Sequence, residues 1–493
     1  MISLSLENFK RELKGANLIP IFKEIELDYD NPLSILKKIS KNKYCFLLES
    51  SSGPEKWSRF SFMGFNPKMI FSSYDEKIKI IHNGKKEKQE YGNPFEKLRA
   101  IMSQFKAAKV KNLPRFYGGL VGFFSYEIIS QIENLPKPRY SDTKFPDCCF
   151  MLTDSVVIFD NISKSAKIVI NVHIKNKNNY KKYYNDALKN INKIEKLLKS
   201  SIQNPYQEKK VKNNAKYNIK SNFKRSDFLK SVKKIKKYVK QGDVIQTVIS
   251  QRWSTIYEGN PINLYRALRL LNPSPYMFYI KMDKSYIIGA SPEVLVRVEN
   301  NQVESRPIAG TRPRGTDELQ DKFYEKDLLA DPKELAEHIM LVDLARNDIS
   351  KVCNFGSVEV SEMMTIERYS HVMHIVSHVK GRLKANKDAF DVFKACFPAG
   401  TLSGAPKIRA MEIINELEPN SRGPYGGSVG YFGFSGNMDM SITIRSFHLE
   451  NKKLYFQAGA GIVADSKPIN EFYETKNKSQ AMLNAIKKSD MSS

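Results

Sequence analysis

Residues 331–344 read DPKELAEHIMLVDL, and residues 465–478 read DSKPINEFYETKNK. Each stretch holds a Glu-x-x-Glu pair, Glu334 with Glu337 and Glu471 with Glu474. Residues three apart share a helix face, so each segment can aim two carboxylates at one point. The first pair lies in line with Leu341 and Leu344, an apolar stripe expected to face the interior. The second runs on to Lys478, one turn past Glu474, and then to Ala481. Inward carboxylates are costly to bury unless a cation neutralises them. A hard divalent cation held through oxygen, Mg2+ with positions open for an anionic substrate, meets that need. The same residues also read as helix starts. Asp331 suits an N-cap, Pro332 the first helical position and Glu334 the far half of a capping box. Asp465, Ser466 and Pro468 make a similar start before Glu471. Capping explains Glu334 better than Glu337, which lies too deep to cap. The spacing leaves both readings open.

Outward from these stretches, three regions separate by composition. Residues 17–172 alternate short β-rich runs (Tyr44–Leu48, Ile78–His82, Ser155–Phe159) with turn signals, as sheet with interspersed helices would. Residues 173–222 form a Lys/Asn-rich linker that could carry one surface helix at Tyr180–Leu198. Residues 223–486 are denser in Gly-containing turns, strands and amphipathic helices. No fixed-period repeat is present. Strands and helices alternating across both large regions predict mixed α/β layers of the α+β class rather than a bundle or a sandwich of strands alone.

At 493 residues, 41% hydrophobic and 11% aromatic, the chain can bury a large core. Its apolar runs are too short to span a bilayer; Leu120–Ile129 is interrupted by Glu127. Glu7, Lys10, Arg11, Glu12 and Lys14 near the start leave no apolar segment for secretion, so a cytoplasmic protein is expected. The five cysteines (Cys45, Cys148, Cys149, Cys353, Cys396) are odd in number and lack Cys-x-x-Cys spacing, which suits a reducing compartment and argues against zinc. The net charge of +26 raises the alternative of nucleic-acid binding. The excess is dispersed lysine mixed with asparagine, without an arginine stripe or an RNA-binding aromatic signature, so no nucleic-acid and no membrane partner is expected. The Gly-rich stretch 423–436 (GPYGGSVGYFGFSG) fits neither a Walker loop nor a Gly-x-Gly-x-x-Gly turn, and reads as tight turns and close strand contacts.

Eight further segments carry polar groups that composition does not interpret. They are GDVIQTVISQR (242–252), NPSPYMF (272–278), GASPE (289–293) and SRPIAGTRPRG (305–315), then LVDLARND (341–348), PAGTLSGAPK (398–407), GFSGNMD (433–439) and AGAGIVAD (458–465). In this order, with the two Glu-x-x-Glu pairs, they resemble the chorismate-utilising enzymes, and within these the anthranilate synthase large-subunit family. The resemblance covers nearly the whole chain, most strongly residues 223–478. It implies a two-subdomain sandwich of antiparallel-rich sheets covered by helices.

The resemblance also assigns residues. Glu337 and Glu474 match direct Mg2+ ligands, with Glu334 and Glu471 acting directly or through water. Lys478 and Arg445 match cations that bind the carboxylates of chorismate, and Thr401, Tyr425 and the backbone near Gly459 and Gly461 match its other contacts. Gln246 stands where water-adding members carry a lysine base; a neutral amide cannot activate water, whereas ammonia already has a lone pair. Ala309 stands where 4-amino-4-deoxychorismate synthases carry a nucleophilic lysine. Together the two imply direct attack by ammonia and anthranilate as product, with the 4-amino synthase as the alternative. Glu293 matches the general acid, His374 the group that supports loss of the ring proton, and Thr311 a residue that orients substrate or His374.

Leu47–Ser50 with Asn272–Met277 resembles the family's tryptophan feedback site, which implies Glu49, Ser50, Pro273, Tyr276 and Met277 as contacts; the region Pro54–Arg59 matches only loosely. No cysteine sits in a Gly-x-Cys-x-Gly nucleophile loop. The resemblance therefore implies a separate glutamine amidotransferase subunit as ammonia source and a hetero-oligomer.

Overall fold

Strand Cys148–Thr153 shows how the layers arise. Cys148, Phe150 and Leu152 join one core, while Cys149 and Met151 join another. Alternate side chains leave opposite faces of a strand, so a strand buried throughout must lie in a sheet covered on both sides. In this computed structural model, which describes residues 2–27, 30–51, 59–84, 86–136, 140–201, 217–369 and 372–491, two large sheets satisfy that demand.

The first sheet runs from Leu18–Glu26 through Ser165–His173, Ser155–Asp160, Phe60–Phe65 and Tyr44–Glu49, then through Tyr276–Met282, Ser285–Ser291, Ser446–Glu450, Lys453–Ile462 and Gln246–Ile256 to Lys220–Ser221. The second runs from Ile308–Pro313 through Val372–Arg382, Gln302–Ser305, Val294–Glu299, Met438–Ile442 and Ser428–Gly433, then through Gly119–Phe124, Cys148–Thr153, Met69–Tyr74 and Lys77–His82 to Lys86–Tyr91. Neighbouring strands are antiparallel, as in Tyr44–Glu49 against Tyr276–Met282 and Gly119–Phe124 against Ser428–Gly433.

A core containing Phe46, Phe62 and Phe278 of the first sheet and Val121, Phe123 and Tyr431 of the second lies between the sheets. Helices cover the outer faces. Ile35, Leu36, Ile191, Leu264 and Met482 pack on the first sheet, and Phe95, Val342, Phe390 and Met411 on the second. Each fully buried Leu, Ile or Phe of these layers contributes roughly 1.5–3 kcal/mol of transfer free energy. The α+β class of helix-covered antiparallel sheets is thus the architecture present.

Both sheets take strands from 17–172 and from 223–486, so the boundaries drawn from composition cross continuous ladders. The helix in the linker region spans Tyr180–Lys199; residues 202–216 and 54–58 lie outside the described residues. Among the described residues no helix is long and apolar enough to cross a membrane.

Candidate active site

Two glycines on Lys453–Ile462 build one wall. This strand pairs with Gln246–Ile256 so that Gly461 faces Val248 and Gly459 faces Ser250. A Cβ on Gly461 would lie 2.3 Å from Gln246 Nε2, and one on Gly459 would lie 3.0 Å from Tyr425 Oη. Glycine here lets the Gln246 amide and the Tyr425 phenol lie against bare backbone. Lys478 reaches in from the helix Pro468–Met491 and donates to the Gly459 carbonyl at 3.2 Å and to Glu474 Oε1 at 2.6 Å. Arg445 Nη1 donates to the Lys478 carbonyl at 2.7 Å. Burial pulls the Arg445 guanidinium below its ordinary pKa, while Tyr425 pulls it back. Among the described residues no carboxylate pairs with it. A buried cation without a counter-ion is costly, and an incoming anion removes that cost.

Glu293 sits between the strands Ser285–Ser291 and Val294–Glu299, pinned by Ser291 Oγ on its N–H at 3.3 Å and by the Ile442 N–H on its carbonyl at 3.1 Å. The Ala290 N–H donates to the Arg445 carbonyl at 3.1 Å, which ties this turn to the cationic wall. Thr401 Oγ1 donates to Glu293 Oε1 at 3.0 Å. Burial pushes the Glu293 carboxyl up to about 8, with Thr401 drawing it partly back. A carboxylic acid that keeps its proton at neutral pH is suited to general acid work. Behind it lies about 450 Å³ of empty space lined by Glu293, Thr401, Gly400, Leu341 and Leu344.

His374 stands on Val372–Arg382 opposite Thr311 of Ile308–Pro313. Its Nδ1 lies 2.9 Å from the Gly310 carbonyl and 3.0 Å from Thr311 Oγ1. A carbonyl only accepts, so Nδ1 carries the proton and Nε2 keeps its lone pair. Burial holds the imidazole below its ordinary pKa; the Gly310 hydrogen bond opposes this and the Arg445 charge reinforces it. Ala309 precedes this pair, is buried, and offers no nucleophile.

The carboxylate pairs occupy the first turns of Pro332–Ser350 and Pro468–Met491. Asp331 caps the first helix through the N–H groups of Lys333 and Glu334. The Asp331 N–H is taken by the Leu328 carbonyl, so Glu334 is not the reciprocal half of a capping box. Glu334 lies 3.8 Å from Arg312 and is held above the ordinary carboxylate range by burial and then by Glu337. Glu471 is likewise raised by burial, and further by Glu474, which shares a hydrogen bond with it. Lys333 of one helix exerts its charge on Glu471 of the other, so the two starts are neighbours. Among the described residues no three His, Cys, Asp or Glu side chains converge closely enough to hold a metal. The donor set still fits a hard cation: oxygen ligands only, in two carboxylate pairs where Glu337 raises the proton affinity of Glu334 and Glu474 that of Glu471.

A separate cavity with about 840 Å³ of empty space lies between the sheets. Glu49, Ser50, Tyr276 and Met277 line it; Pro273 does not, and Pro275 lines it instead. Its wall also includes Pro292 and Val294, which flank Glu293, and Tyr369, whose ring lies 5.7 Å from that of His374. Burial raises the Glu49 carboxyl above its ordinary range, opposed by Arg269 and Tyr265.

Some residues that hold the site were not found from sequence. Fully buried Arg422 donates to Glu418, to the Leu402 carbonyl beside Thr401 and to the Val248 carbonyl near Gln246, and its guanidinium lies 4.6 Å from the Tyr126 ring centroid. His338 Nε2 meets Ser377 Oγ at 2.7 Å, joining the Glu334–Glu337 helix to the His374 strand. The i,i+4 spacing of Glu418 and Arg422 is visible in the chain, but nothing local marks the pair as buried.

With this geometry, the profile of the chorismate binding enzyme family matches residues 36–484, and the chain belongs to that family. It is 47% identical over 485 residues to anthranilate synthase component 1 of Acetivibrio thermocellus, with 98% of each chain covered. The same protein of Aquifex aeolicus is 46% identical over 488 residues, again with 98% of each covered. The crystal structure of anthranilate synthase component I from Streptococcus pneumoniae superposes with a TM-score of 0.78 at 36% identity, covering 87% of this chain and 93% of that one.

Proposed function

We propose that the chain converts chorismate and ammonia to anthranilate and pyruvate, as the large subunit of an anthranilate synthase acting in tryptophan biosynthesis. Arg445, Lys478 and the backbone at Gly459 bind the substrate's carboxylates, with Tyr425 and Thr401 beside them. Ammonia attacks the ring carbon ortho to the ring carboxylate, and Glu293 gives its proton to the departing 4-hydroxyl, which leaves as water. Gln246 supplies no base, so water is not activated in ammonia's place. His374, held by the Gly310 carbonyl and Thr311, then accepts the ring proton through Nε2 as pyruvate leaves and the ring becomes aromatic. Glu334, Glu337, Glu471 and Glu474 would hold Mg2+, and a cation there offsets the negative charge of the substrate's carboxylates.

The remaining parts of the reading concern control and assembly. The cavity beside Glu49 takes tryptophan as feedback inhibitor. A separate glutamine amidotransferase subunit supplies ammonia in a cytoplasmic hetero-oligomer. High identity to component 1 relatives along the whole chain supports this assembly.

The observation that carries the catalytic reading is Arg445, a largely buried guanidinium without a carboxylate partner among the described residues, whose backbone is tied through Ala290 to the turn that holds Glu293. Arg445→Gln should weaken chorismate binding by about ten- to a hundredfold, the size of a lost charged hydrogen bond. Calorimetric titration measures this directly. Binding as tight as in the parent would remove Arg445 from the substrate site.

A further inference from the structure

The stretches LVDLARND (341–348) and PAGTLSGAPK (398–407) meet through their last residues. Asp348 lies in the last turn of the helix Pro332–Ser350, and Lys407 opens the helix Lys407–Leu417 behind the N-cap Pro406. Each stands at the end of its helix where its own charge is unfavourable, an acid at a C-terminus and a base at an N-terminus. Neither residue suits a role confined to starting or stopping its helix. Together they form an ion pair, Lys407 Nζ to Asp348 Oδ2 at 2.7 Å, with both side chains largely buried. Lys351 reaches Asp348 Oδ1 at 3.3 Å, but its side chain is mostly exposed and solvent screens that contact.

The Lys407 ammonium also donates to the Cys396 carbonyl at 3.3 Å. Cys396 ends the helix Ala389–Cys396, so one side chain joins both ends of the segment 397–406 and fastens them to the Asp348 helix. That segment carries the short helical turn Gly400–Leu402, and in it Thr401, whose hydroxyl donates to Glu293. The turn rests on the same helix, since a Cβ on Gly400 would come 3.0 Å from Leu344 Cδ1. Glu334 and Glu337 stand in the first turns of that helix. We infer that Lys407 and Asp348 are positioning residues of the catalytic site, their ion pair holding the Thr401 turn against the carboxylate helix so that Thr401 meets Glu293. This rests on the reading of Glu293 as the general acid.

Arg306 and Asp348 line the cavity behind Glu293, yet burial and Thr401 are what displace its carboxyl, and Thr401 draws it down. A turn set loose forfeits that hydrogen bond, so the Glu293 carboxyl rises above about 8 and keeps its proton to higher pH. The test uses the full chain with chorismate, Mg2+ and an ammonium salt, reading kcat across pH, and unfolding in urea. Lys407→Met should lower kcat at neutral pH by about ten- to a hundredfold, the scale of a displaced catalytic contact. It should also move the basic limb of the profile to higher pH and lower the urea midpoint, because Asp348 is left buried without its closest partner. Thr401→Val should move the basic limb in the same direction. In Lys407→Met/Asp348→Asn no charge is stranded, so the urea midpoint should recover while kcat and the basic limb stay displaced. This double variant carries the test if Lys407→Met alone does not fold.

A parent-like kcat and basic limb in both Lys407 variants would overturn the inference. So would recovery of kcat together with stability in the double variant, which would leave the pair a structural contact alone. A loss of kcat with the basic limb unmoved would overturn it too, since the effect would then bypass Thr401 and Glu293. Glu293→Gln separates the two levels: if it keeps the parent's basic limb, the reading of Glu293 fails, and the inference with it. If it loses that limb while Lys407→Met keeps the parent's, only the positioning role is wrong.

Discussion

Glu293 gives the molecule its response to rising pH. Its carboxyl, pushed up to about 8 by burial, is protonated below that value, so general acid assistance is present there and is lost as pH rises through it. His374 is held below the ordinary imidazole value, so it is a neutral base at neutral pH and is lost as pH falls through that depressed value. The kcat profile is therefore expected to be bell-shaped, with its basic limb near 8 and its acidic limb below the usual histidine range. Glu293→Gln should remove the basic limb and lower kcat by about 10²–10⁴-fold. His374→Met should remove the acidic limb and slow pyruvate release. An unchanged basic limb in Glu293→Gln would assign that ionisation to another group. The segment GASPE marked Glu293 as a residue of interest. Its displaced pKa was not legible, because it comes from the surrounding packing, and Thr401, which moderates it, lies 108 positions away.

At the scale of elements, local chemistry announced itself where it is local. Asp331 and Pro332 set the start of Pro332–Ser350 as their side-chain chemistry predicts, and the linker-region helix ends one residue beyond its predicted last residue. The partnership of Glu418 with Arg422 shows the limit. Arg422 bonds the carbonyls of Leu402 and Val248, so one side chain fixes the Thr401 turn and the Gln246 strand together. Glu418 also accepts from the Ser250 N–H and hydroxyl. Removing one partner of a buried pair strands the other charge. Arg422→Met should therefore cost about 3–5 kcal/mol, read from urea unfolding, with part recovered in Arg422→Met/Glu418→Leu. A loss below about 1 kcal/mol would mean that the pair does not organise these elements. The hydrogen bond from Tyr265 to Glu49 was equally hidden, since the two lie 216 positions apart and only the fold brings them together.

At the scale of the whole molecule, the class of fold followed from alternating strands and helices, but the assignment of strands to sheets did not. Tyr44–Glu49 lies beside Tyr276–Met282 because both bury one face on the helix layer and the other between the sheets, a pairing that no local pattern encodes. Composition separated residues 17–172 from 223–486, yet the two sheets run through both. The net charge of +26 is not gathered into a single stripe; lysines of Arg225–Lys240, for instance, lie on its exposed face and pair with acidic neighbours such as Glu416. The central claim concerns what the assembled molecule makes, and one measurement addresses it: product analysis of the purified chain with chorismate, Mg2+ and an ammonium salt, with and without EDTA. The expected result is anthranilate and pyruvate in equal amounts, formation abolished by EDTA, and no product when glutamine alone replaces ammonium. An aminated ring that keeps its enolpyruvyl group, or chorismate left unconsumed with ammonium and Mg2+ present, would contradict it.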